Sequence, residues 1–228
     1  MTYNVLFVPG VDGDDADQEF FKEALEKYLN DLIPGQSRVY MFNPKPYFKR
    51  NWLEHLVKKV PLLSMTADVM QYLFRYRGAA AEEVDRAFMK ELAEREYGAI
   101  VGHSLGTVII AKNAAKRTAG FVGQLLQKEG KYPKFCPTVA LFQSPLYMPF
   151  WTLFAAVPPD WVEKLQALFT YRLIVYSRQD WISKDVPDEV TTNQLEGFAW
   201  DIYQASCDHD FAECLDKLRE KKYVLPML

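Results

Sequence analysis

Little in this sequence points to a membrane, a metal centre or a nucleic acid. The one uncharged run longer than the roughly 20 residues that a bilayer span requires, 135–159, is broken by five prolines. The amino terminus passes from Met1-Thr2-Tyr3 directly into the apolar Val5-Leu6-Phe7-Val8, without a basic segment or room for a cleavable leader. Cysteine is scarce: Cys136, Cys207 and Cys214 make an odd set without metal-type spacing, which predicts free thiols, a reducing compartment and a cytoplasmic protein. A dominant charge is missing too, because 27 basic and 30 acidic side chains leave a net −3. No bulk field draws the chain to nucleic acid or to an anionic membrane. What is present is apolar residue, 49% of 228 positions, enough for one sizeable core, and a single domain is expected over residues 1–228.

The stretch Tyr97-Gly98-Ala99-Ile100-Val101 is apolar or small and uncharged, as a strand buried on both faces requires. It runs into Gly102-His103-Ser104-Leu105-Gly106 and then into the helical run Thr107 to Lys116. A serine at the apex of a sharp strand-to-helix turn needs small neighbours, since bulk on either side would strike adjacent backbone. The turn exposes the hydroxyl beside the N–H groups of the helix start.

Gly-His-Ser-Leu-Gly in this setting resembles the nucleophile elbow of the α/β-hydrolase superfamily, in particular its small lipase- and esterase-like members. The resemblance implies an α/β fold with a mostly parallel central sheet of about five or six strands, helices on both faces, and a Ser, acid, His order along the chain. The runs at Val5 to Val8, Arg38 to Phe42, Thr138 to Phe142, Tyr171 to Tyr176 and, more weakly, Ala199 to Tyr203 supply further strands. Helical spacing between them makes βαβ units.

Family members carry the acid after a late strand in a Gly-x-x-Asp pattern. Asp180 matches, with Ser177 in place of the glycine, while Asp185 and Asp188 lie farther from the strand end. His209 alone among the three histidines follows Asp180, so the implied triad is Ser104, Asp180 and His209. The resemblance also implies two oxyanion donors, the backbone N–H groups of Leu105 and of Val11 in the Pro9-Gly10-Val11 turn. Many relatives have His-Gly at that turn, so the second assignment rests on position. Neither a metal nor an organic cofactor is implied.

Three other stretches bear on function. Asp12 to Glu19 is acidic but lacks the alternation of a calcium loop, and reads as the capped start of a helix over Phe20 to Asn30. Residues 45–78 exceed a simple connection and combine an apolar stripe, His55 among it, with Lys45, Lys49, Arg50, Lys58 and Lys59. They form either a helix packed on the sheet or a basic amphipathic element that touches lipid. Residues 146–159 carry no charge and include Tyr147, Phe150, Trp151 and Phe154, which either line an apolar acyl pocket under a lid or belong to the core. The expected substrate is a small ester or thioester with an apolar acyl group, and nucleic acid is not an expected partner. The competing reading is a catalytically silent member of the fold that holds a partner or a membrane surface.

Overall fold

The computed structural model describes residues 3–10, 15–32, 34–47, 79–118, 138–147, 157, 160–180, 183 and 200–221. In chain order these form β1 (Tyr3–Val8), α1 (Asp15–Leu32), β2 (Ser37–Met41), a 3-10 turn (Lys45–Tyr47), α2 (Ala79–Glu94), β3 (Ala99–His103), α3 (Leu105–Thr118), β4 (Thr138–Phe142), a second 3-10 turn (Pro145–Tyr147), α4 (Trp161–Leu168), β5 (Tyr171–Ser177), β6 (Asp201–Ala205) and α5 (Phe211–Glu220). Among the described residues no helix is long and apolar enough to cross a membrane.

The strands make one six-stranded sheet in the order β2-β1-β3-β4-β5-β6, with every neighbouring pair parallel. The mostly parallel sheet expected from sequence is thus wholly parallel among the described strands. Parallel neighbours need crossovers that cover the faces, and the strand residues divide accordingly. Leu6, Val8, Ile100, Leu141 and Ile174 face one core with Phe88 of α2, Ile109 of α3 and Val162 of α4. Val5, Phe7, Val101, Phe142 and Val175, one residue out of phase, face a second core with Leu25 and Leu29 of α1 and Phe211 and Leu215 of α5. Each such side chain contributes roughly 1.5–3 kcal/mol on leaving water. In the second core Phe7 stacks on Phe211 with ring centroids 4.8 Å apart, tying the first strand to the last helix.

Two expectations shift. The last strand begins at Asp201, two residues beyond the start read from sequence, because Trp200 is spent in the first core before pairing begins. Edge strand β6 has no clean alternation to mark its bounds. Helix α1 starts at Asp15, earlier than the expected Phe20.

Chain order reverses direction at β1: the chain steps outward to β2 and then returns to build β3 on the other side. The crevice beyond the carboxyl ends of β1 and β3 is where an open parallel sheet leaves room for a ligand.

Candidate active site

Ser104 lies in that crevice, one residue past β3, with φ of 51°. This left-handed conformation costs a non-glycine residue about 1 kcal/mol or more and persists only where its surroundings over-determine it. Here they do. The Ser104 N–H extends the ladder to Phe142 O at 3.0 Å, and its carbonyl accepts from both the N–H (3.1 Å) and Oγ1 (2.6 Å) of Thr107 in α3. The Thr107 hydroxyl, fully buried, in turn meets Ser144 Oγ at 2.5 Å. The motif's second glycine is required by close approach, since a Cβ on Gly106 would sit 1.8 Å from the Val8 carbonyl oxygen. The elbow therefore seats directly on the end of β1. Gly10 obeys the same rule from the other side: a Cβ there would lie 2.9 Å from Ser104 Cβ.

The next strand repeats the device. Gln143 follows β4 with φ of 48° and donates its N–H to Val175 O at 2.8 Å. Its fully buried side chain turns toward the far loop, where the amide Nε2 donates to the Asp208 carbonyl.

His209 reaches the serine from the loop between β6 and α5. The Asp210 N–H donates to Asp208 O at 2.8 Å, closing a three-residue turn with His209 at its centre. Asp210 then caps α5, its Oδ1 accepting from Glu213 N at 3.0 Å, while Glu213 Oε2 accepts from Asp208 N at 3.4 Å. The Asp210 cap is worth about 1 kcal/mol and fixes where the helix begins. Beneath it, Cys207 and Cys214 are joined in a disulfide with Cα atoms 5.9 Å apart, and both are fully buried. The expectation of free thiols is corrected for this pair. The seven intervening steps cross the loop and the first turn of α5, which folds Cys214 back under Cys207. The cysteine argument for a reducing compartment falls away with it; Cys136 lies outside the described residues.

The three implied residues meet. His209 Nε2 is 2.8 Å from Ser104 Oγ, and His209 Nδ1 is 2.9 Å from Asp180 Oδ2. An ionised carboxylate can only accept, so Nδ1 carries the proton and Nε2 is left to accept from the serine hydroxyl. Asp180, 1% exposed, also accepts from Ser183 Oγ at 2.5 Å. Its own N–H donates to Ser177 O at 3.1 Å, and the Ser177 N–H donates to Ser183 O at 3.3 Å, so a tight turn holds the carboxylate.

His103 completes the surroundings. Buried to 4% exposure, its ring lies 5.0 Å from that of His209 and 5.3 Å from that of Phe211. Burial, reinforced by the charge of His209 and opposed by Asp180 and the Gln143 side chain, lowers its pKa to about 3. It is a neutral plate against which the His209 ring packs.

The supporting contacts of Ser177, Ser183, Gln143 and His103 are not read from sequence, where Ser177 stands only for a family glycine and His103 only within the serine motif. The available signal is modest: Ser177 and Ser183 flank Asp180 symmetrically, and Gln143 is a polar residue at the carboxyl end of a buried strand. Leu105 opens α3, so its N–H belongs to the helix's unpaired amino-terminal set. Val11, Phe150, Trp151, Phe154, Asp185 and Asp188 lie outside the described residues, as does His55, and of Tyr147 only the backbone is described.

No family model and no curated protein sequence matches the chain. Solved structures do match it. An α/β serine hydrolase homologue from Coxiella burnetii aligns over 97% of this chain and 85% of its own, at 16% identity and a TM-score of 0.51. The thioesterase domain of the curacin biosynthetic pathway aligns over 98% and 92%, at 12% identity and 0.52. An esterase from Pyrococcus furiosus aligns over 99% and 82%, at 11% identity and 0.52. At such identities the likeness is one of fold.

Proposed function

We propose, with the α/β-hydrolase fold as premise, that this protein is a serine hydrolase that cleaves a carboxylic ester or thioester through an acyl-enzyme. One observation carries the reading: the unbroken hydrogen-bonded line Asp180–His209–Ser104, at 2.9 and 2.8 Å, in the crevice where the sheet order reverses.

A serine hydroxyl ionises too weakly to attack a carbonyl near neutral pH. His209 Nε2 takes its proton as Ser104 Oγ adds to the acyl carbon, and Asp180 stabilises the resulting imidazolium and holds its orientation. The imidazolium then protonates the departing alcohol or thiol. Water repeats the cycle on the acyl-enzyme, with His209 again as base and Ser104 as leaving group. The N–H groups of Leu105 and Val11 are the proposed oxyanion donors, where one lost donor costs about 3–4 kcal/mol. Tyr147, Phe150, Trp151 and Phe154 are proposed to line the acyl pocket. The chemistry draws only on side chains and backbone N–H groups.

A fluorophosphonate probe should label wild-type protein at Ser104 and leave Ser104→Ala unlabelled, with p-nitrophenyl ester turnover lost in parallel. A wild-type protein that resists labelling would favour the silent binder. Graded esters extend the test: each buried methylene is worth up to about 0.8 kcal/mol, so medium acyl chains should exceed acetyl in kcat/KM. Trp151→Ala should flatten that profile.

A further inference from the structure

We infer that Ser177 is a positioning residue that holds His209 in register with Asp180, an inference that rests on the catalytic reading of Ser104, His209 and Asp180. The serine is fully buried at the carboxyl end of β5, and its hydroxyl spends its whole bonding capacity. It donates to Cys207 O at 2.5 Å and accepts from Cys207 N at 3.3 Å and Gln179 N at 3.2 Å. Its backbone carbonyl meanwhile accepts from Asp180 N at 3.1 Å, and its N–H donates to Ser183 O at 3.3 Å. One residue thus closes the acid turn and grips the base loop.

The grip falls where it has leverage. Cys207 precedes His209 by two residues and is itself fastened to α5 through Cys214. Asp208, between them, is held by the Gln143 amide. The base loop is therefore anchored on its inner side by Ser177 and Gln143 and on its outer side by the disulfide and the α5 cap. Among the described residues, the Ser177 contact refers the loop to the strand end that also carries Asp180, beside the His209–Asp180 bond itself. Glycine, the residue the family pattern places here, would lack that hydroxyl, so this chain has a direct link between acid and base loops that the pattern alone does not supply.

Without the hydroxyl, both backbone groups of Cys207 lose their side-chain partner inside the protein, and the loop is free to seek others. A displacement of His209 by about 1 Å is enough to cost on the order of 100-fold in rate, because proton transfer demands near-attack geometry. Substrate contacts are untouched, so binding should not follow.

The test compares wild type, Ser177→Ala and Ser177→Thr, the last of which keeps a hydroxyl. Ser177→Ala should lower kcat by about 10- to 100-fold with KM within about twofold, slow fluorophosphonate labelling of Ser104 to the same degree, and weaken the far-downfield proton resonance of the His209–Asp180 hydrogen bond. Ser177→Thr should restore both the rate and the resonance toward wild type. If Ser177→Ala fails to fold, Ser177→Gly, the residue of the family pattern, deletes the same hydroxyl and should show the same loss of kcat. Wild-type kcat and resonance in a folded Ala or Gly variant would overturn the inference. Absence of labelling in the wild type would instead sink the catalytic reading on which it rests.

Discussion

Among the described residues, two buried carboxylates lie beside a basic side chain, and one of these pairs ends at a serine hydroxyl. Asp85 of α2 meets Lys112 of α3 at 3.0 Å, each 6% exposed, and the Asp85 Oδ1 also accepts from Asn113 Nδ2 at 3.0 Å. Asp180 meets His209 at 2.9 Å and is supported by the Ser183 hydroxyl. The ingredients are alike: a carboxylate, a base and a neutral donor. Lysine contributes a fixed charge on a flexible stem between two helices, which joins elements. Histidine contributes a ring that can take a proton at one nitrogen while held at the other, and His209 stands at the carboxyl edge of the sheet. The first cluster fits a role in stability, the second a role in chemistry, and the contrast can be tested by breaking each.

The largest effect is expected at the second cluster. Asp180→Asn should cut kcat by about 10,000-fold with little change in stability, because the asparagine amide favours the wrong imidazole tautomer. His209→Ala should cost as much or more, and the double variant should be scarcely worse than either, since groups that act as one unit do not add. Steady-state ester hydrolysis and urea unfolding, measured side by side, check both halves.

The mirror experiment belongs to the first cluster. Asp85→Asn or Lys112→Met should destabilise the fold by about 3–5 kcal/mol, because each leaves a buried charge without its counter-ion, while kcat of the folded fraction holds. Replacing both at once with Asp85→Leu and Lys112→Met should recover much of the loss. A fall in kcat for these variants would erase the distinction between the two clusters.

The smallest effect sharpens rather than breaks the comparison. His103 lies under the second cluster with its pKa lowered to about 3 from the ordinary 6.5. The folded state therefore binds fewer protons than the unfolded one between those values, and stability falls as pH drops through that window. From this group alone the loss should reach about 2 kcal/mol at pH 5. His103→Phe, measured by urea unfolding from pH 7 to 5, should flatten the slope by that amount.

The sequence announces those parts of this architecture that are written in consecutive residues. Buried parallel strands such as Ala99–His103 and Thr138–Phe142 are short, largely apolar runs, so they stand out, as does the elbow glycine Gly106 that the Val8 carbonyl demands. Ser104, Asp180 and His209 come to attention through motif and order. Their helpers do not, because Ser177 with Cys207 and Gln143 with Asp208 are bonded across 30 and 65 positions, distances at which no local period speaks. Lys112 interrupts the apolar run of α3, but nothing local points to its partner on α2. The disulfide was hidden for a different reason: a separation of seven suits a helix face, whereas here half of it is loop.

The stacking of Phe7 on Phe211 has a further consequence, in the time domain. The last helix docks on the first strand, and the cap of that helix fixes the loop bearing His209. A nascent chain can pair β1 with β3 and expose Ser104 long before residue 209 is synthesised, yet it lacks the histidine that the proposed triad needs. Parallel sheets assembled from distant segments close slowly, so the interval is not brief. On the proposed mechanism hydrolysis then waits on the docking of α5, and the appearance of ester turnover during refolding should trail the recovery of helical signal.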